Sequence, residues 1–143
     1  MGGSRLEDVN YYAPQIVVPY NPRIIVLYAG ENDIAEGLTS ADVLAEVKRF
    51  IGILKKSLPN TRMLVVSIKP SPLRWSFWPE MRRANELIRA ELSGEKKVKF
   101  VDIATAMLDK SGEPKSGIYD SDTLHLNGKG YAIWRDILTP LLK

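Results

Sequence analysis

The chain has 143 residues, 45% of them apolar, which is enough for one hydrophobic core and little more. Its formal charge of +3 comes from scattered bases with acids between them, so nothing resembles the cationic stripe of a nucleic-acid binder. With no cysteine, disulfides, thiolate catalysis and sulfur-held metals are excluded, and a single histidine argues against a His-rich zinc site.

Residues 5–18 carry Leu6, Val9, Ala13, Ile16 and Val17 at helical spacing, closed by Pro19. Residues 23–29 are a continuous apolar run, the pattern of a strand buried on both faces of a parallel sheet, ending at Gly30. Ser40 is placed to cap a second helix, with Val43, Leu44, Val47, Phe50, Ile51 and Leu54 as its apolar stripe and Pro59-Asn60 as its end. A second buried strand is expected over 62–68, followed by an irregular loop containing Pro70 and Pro72. The spacing predicts a third helix over 79–92, with Pro79 in its first turn, and a third strand over 98–102. A loop with Gly112, Pro114 and Gly117 leads to a last helix from about Asn127 to Leu142. No apolar run reaches the roughly 18 residues that span a membrane. No signal-peptide pattern stands at Met1, which favours the cytoplasm.

Alternation of helix and strand predicts right-handed β-α-β crossovers and an α/β fold, a parallel sheet between two helical layers. Three strands are few for such a sheet, and the chain opens on a glycine pair and a helix. A strand that usually lies centrally is therefore expected to be missing ahead of residue 1.

Sites in open parallel sheets lie at the carboxyl ends of the strands. His125 is the only imidazole, so any proton relay near neutral pH falls to it. Asp122, three residues earlier, can reach one ring nitrogen and fix the tautomer, leaving the other as base. The alternative is that Asp122 caps a turn and His125 packs. After the first strand, Gly30-Glu31-Asn32-Asp33 offers the Asn32 amide as an oxyanion donor, or else ordinary turn chemistry. Gly2-Gly3-Ser4 before a helix offers backbone N–H groups as an anion nest, or else a loose tail. Trp75, Phe77 and Trp78 either line a pocket or pack.

These segments, in this order, resemble the blocks of the SGNH hydrolases, also called GDSL-type esterases and lipases. The resemblance runs through essentially the whole chain, 1–143, as one domain of flavodoxin-like three-layer α/β/α architecture. Gly2-Gly3-Ser4 resembles the second block, which implies an oxyanion N–H at Gly3. Gly30-Glu31-Asn32-Asp33 resembles the G-x-N-D block, which implies an oxyanion donor at Asn32. Asp122-Thr123-Leu124-His125 resembles the last block, which implies Asp122 and His125 as triad acid and base. No G-D-S segment, the block that holds the nucleophilic serine, occurs in the chain. The expectation is an N-terminally truncated domain, with Ser4 the one serine considered as a substitute nucleophile.

The resemblance implies a carboxylic-ester hydrolase acting on a small-molecule ester without metal or organic cofactor. The alternative is a catalytically silent module that binds acyl or glycan ligands. A nucleotide-binding domain is weaker, because no G-x-G-x-x-G follows a strand. Loss of the first strands would bare the apolar edge of the strand at 23–29, so self-association through that edge is expected.

Overall fold

The computed structural model describes residues 5–143. Helix α1 (Leu6–Ile16) precedes strand β1 (Ile24–Leu27), and the short helix α2 (Glu31–Ala35) leads to α3 (Ser40–Ser57). Strand β2 (Arg62–Val66), helix α4 (Trp78–Leu92), strand β3 (Val98–Val101) and helix α5 (Gly128–Leu138) complete the order. The three strands are parallel and ordered β1-β2-β3, with Ile24 opposite Arg62 and Met63 opposite Val98.

The expected α/β architecture is therefore present, and its cause is the period-two alternation within each strand. Leu27, Met63, Val65 and Val98 join the core under α1, α3 and α4, whereas Leu64, Val66 and Val101 join the core under α5. Each face of the sheet thus buries its own apolar set against helices. Among the described residues no helix is long and apolar enough to cross a membrane.

Several local expectations are corrected. Strand β1 is not buried on both faces: Ile24 and Ile25 are half-buried and Val26 is 43% exposed. β1 ends the sheet, and Val26, unlike Ile24, has no place in the core beneath α5. The cap of α3 is Thr39, not Ser40. Asp42 N donates to the Thr39 hydroxyl (3.2 Å) and Thr39 N donates back to Asp42 Oδ2 (2.9 Å), a reciprocal capping box. Ser40 is the first helical residue, and its N–H donates to Glu80 Oε1 at 2.6 Å.

The segment after β1, where Gly30-Glu31-Asn32-Asp33 offered an oxyanion donor or ordinary turn chemistry, forms the helix Glu31–Ala35, with Gly30 at φ 110° before it. A Cβ on Gly30 would also meet Ile68 Cδ1 at 3.0 Å, so strain and space both favour glycine there. The irregular loop after β2 contains one 3₁₀ turn, Trp75–Phe77. The last helix stops as an α-helix at Leu138 and continues as a 3₁₀ turn over Thr139–Leu142, where Pro140 lacks the N–H that an α-helix needs.

Candidate active site

The turn that carries Asp122 and His125 is built by backbone bonds before any side chain acts. Asp120 N donates to His125 O (2.8 Å), Thr123 N to Asp120 O (2.9 Å) and Asn127 N to Ile118 O (3.1 Å). Asn127 then caps α5, its Oδ1 accepting from Lys129 N and Gly130 N. Thr123 takes φ 57°, a strained value for a β-branched residue, at the tip between Asp122 and His125.

Within this turn Asp122 Oδ1 accepts the N–H groups of Leu124 and His125, both at 2.9 Å. Its Oδ2 lies 2.5 Å from His125 Nδ1. The hydrogen bond to His125, followed by those two backbone N–H groups, pulls the Asp122 carboxyl down to about 2. The carboxylate therefore stays ionised at neutral pH and favours the proton on Nδ1, which makes Nε2 the basic nitrogen. His125 is 69% exposed at its side chain, so the ring is reachable from solvent.

Asn32 is the second residue of α2, at the carboxyl end of β1. Its Oδ1 accepts from Arg74 Nη1 at 2.8 Å. The neighbouring residue Leu73 donates its N–H to Thr123 O at 3.1 Å. The short Leu73-Arg74 segment after β2 thus joins the Asn32 loop to the Asp122–His125 turn, and all three loops sit on one rim of the sheet. Tyr119 OH adds a bond to Pro70 O at 2.7 Å, and burial pushes its phenol well up. Asp33 is buried, and both its oxygens accept from Leu6 N (3.1 and 3.2 Å), tying the start of α1 to the Asn32 loop.

Beneath Asn32 lies a buried ionic cluster that the sequence reading did not single out. Glu31 (8% exposed) receives Lys69 Nζ at 2.7 and 3.0 Å, Arg74 Nη1 at 3.2 Å and the Tyr28 hydroxyl at 2.6 Å. Burial, then the Glu31 charge, pushes the Tyr28 phenol well up, so it stays a donor. Glu31 and Lys69 are 38 residues apart, the separation that also pairs Ile24 with Arg62, but that register comes from the sheet and is not written in the sequence.

The other expected residues fare variously. Gly3 and Ser4 lie outside the described residues. Trp75 and Trp78 stack with centroids 6.1 Å apart, but Trp78 is 7% exposed and belongs to the core under α4, with Trp75 packed against it. Ser71 is buried, its hydroxyl accepting from Arg74 N at 3.3 Å, so it shapes the loop rather than facing solvent. Ser67 is buried as well and accepts from Ile103 N and Ala104 N. Among the described residues, no group of three or more His, Asp or Glu is placed to hold a metal ion.

Known proteins match this chain in sequence and in shape. Platelet-activating factor acetylhydrolase IB subunit alpha1 of Pongo abelii is 30% identical over 117 residues, 78% of this chain and 47% of that protein. The chain therefore spans about half the length of the curated relatives it matches. A GDSL-like lipase from Bacteroides thetaiotaomicron superposes with a TM-score of 0.80 at 20% identity, covering 97% of this chain and 71% of that one. A carbohydrate esterase family 3 protein from Talaromyces cellulolyticus superposes with a TM-score of 0.82 at 19% identity, covering 98% and 67%. At these identities the two structures speak for the fold. The family model described as GDSL-like Lipase/Acylhydrolase matches residues 1–133, and the chain belongs to that family.

Proposed function

We propose that residues 1–143 form one domain of a carboxylic-ester hydrolase in which Asp122 and His125 are the acid and base of an acyl-transfer site. The observation that carries this reading is the 2.5 Å contact from His125 Nδ1 to Asp122 Oδ2, made in a turn whose backbone bonds hold both residues. A serine oxygen attacks the ester carbonyl while its proton passes to His125 Nε2. The tetrahedral oxyanion is held by Asn32 Nδ2–H and the Gly3 N–H. Collapse breaks the ester C–O bond as Nε2 returns the proton to the departing alcohol, and water then cleaves the acyl-enzyme by the same route. The chain holds no G-D-S serine block, and Ser4 is the one serine in it considered as a substitute nucleophile.

Small acyl groups are the favoured substrates, since a relative is named as an acetylhydrolase. Among the described residues β1 is an edge strand with Val26 exposed, which supports self-association through that edge.

Hydrolysis of p-nitrophenyl acetate by the purified chain tests the catalytic reading. The expected result is a rate lost in His125→Ala, and lost also in Ser4→Ala where Ser4 is the nucleophile. Equal rates for all three proteins refute it and leave a module that binds without turning over.

A further inference from the structure

A carboxamide can serve an oxyanion with only one of its two ends. Its NH₂ donates and its oxygen repels, and a half-turn about the last torsion exchanges them at almost no steric cost. An oxyanion donor of this type needs something that fixes the half-turn. Arginine is suited to that task, because a guanidinium donates and never accepts. The Asn32 atom 2.8 Å from Arg74 Nη1 is therefore the oxygen, and the donor nitrogen occupies the other branch of the amide.

Arg74 is itself held in place. The same Nη1 contacts Glu31 Oε1 at 3.2 Å, and Glu31 is pinned by Lys69 and Tyr28. The Arg74 backbone N–H donates to Ser71 Oγ, and the adjacent Leu73 N–H donates to Thr123 O beside the acid–base pair. Two cations facing one carboxylate also leave an excess positive charge next to Asn32. Behind a largely buried cluster that charge favours an anion forming nearby.

We infer that Arg74 is a positioning residue, anchored by the Glu31–Lys69 pair, that orients the Asn32 carboxamide so that Nδ2 is the end presented to the reacting oxygen. Its catalytic consequence rests on the hydrolase reading, but the orientation itself does not.

The test compares the chain with Arg74→Met, Arg74→Lys and, as a control, the exposed Arg82→Ala. The first readout is the ¹⁵N relaxation order parameter of the Asn32 side-chain amide. In the unaltered chain and in Arg82→Ala it should lie near the rigid value of about 0.8. In Arg74→Met it should fall below roughly 0.6, the flexible range. Arg74→Lys keeps a charge for Glu31, and so the fold, but a single ammonium is a poorer clamp, so it should fall between. The second readout is ester hydrolysis. Arg74→Met should lose about 10- to 100-fold in kcat, less than the ~10²–10³ for deleting an oxyanion donor outright, with KM within about threefold.

A rigid Asn32 amide in both Arg74→Met and Arg74→Lys overturns the inference, whatever the chain hydrolyses. A mobile amide with an unchanged kcat overturns its catalytic part. Absence of His125-dependent hydrolysis in the unaltered chain defeats the hydrolase reading alone, and the order parameter then decides the orientation by itself.

Discussion

Replacing Gly130 by alanine sets two opposed effects against each other. Alanine is the better helix former by about 0.5–1 kcal/mol, and Gly130 sits in the first turn of α5. Space opposes the change. A Cβ there would stand 2.4 Å from Ile118 O and 2.9 Å from Leu126 Cδ2. The first distance must widen to at least 3.0 Å, and its atom is backbone. That carbonyl is also tied, because it accepts the Asn127 N–H at 3.1 Å. Overpacking costs about 1–3 kcal/mol, and a tethered carbonyl puts this site in the upper half of that range. The net expectation is a destabilisation of about 1–2.5 kcal/mol, read as a lower urea midpoint at unchanged m-value and a Tm lower by roughly 3–8 °C. Ile118 and Asn127 also bracket the Asp122–His125 turn, so ester hydrolysis should fall along with stability. A Gly130→Ala chain that is more stable than its parent refutes the reasoning, since helix propensity would then outweigh the close approach.

The Asp122 carboxyl, ordinarily near 3.8, is drawn to about 2 by its bond to His125 and by the backbone N–H groups. A folded value below the unfolded one means stability that is complete above the unfolded value and is lost as pH falls through the folded one. The Tm advantage of the parent over Asp122→Asn should therefore hold at about pH 6 and shrink between about pH 4 and pH 2, followed by calorimetry; a constant gap across that window counts against it. Self-association through β1 should give a dimer mass by light scattering at micromolar concentration, and Val26→Lys should return it to monomer. A monomeric parent chain rules this out.

The contact between Asp122 and His125 was the most legible part of the candidate site. Asp122 and His125 interact within one turn, and a spacing of three residues already allows the 2.5 Å contact found. The order of elements was equally legible, because strand and helix periodicities differ and each face of the sheet collects its own apolar residues. Boundaries were less so. Thr39 and Ser40 are adjacent hydroxyl residues, and only the reciprocal bonds with Asp42 distinguish the cap from the first helical residue. The aromatic run at 75–78 could be pocket or core on pattern alone; the structure puts Trp78 in the core on the inner face of α4, leaves Trp75 partly buried and exposes Phe77.

What the sequence determined by itself were features carried by local spacing: the α/β alternation, the loops that end the strands, and the Asp122–His125 turn. What only the tertiary structure decided were features made between distant segments. Glu31, Lys69 and Arg74 are three unremarkable charges until the pairing of β1 with β2 brings two strand ends side by side. Their burial then demands mutual neutralisation, since unpaired charges cannot be taken out of water cheaply. The Arg74–Asn32 bond, like the exposure of Val26, follows from that three-dimensional arrangement and has no signature in either segment alone.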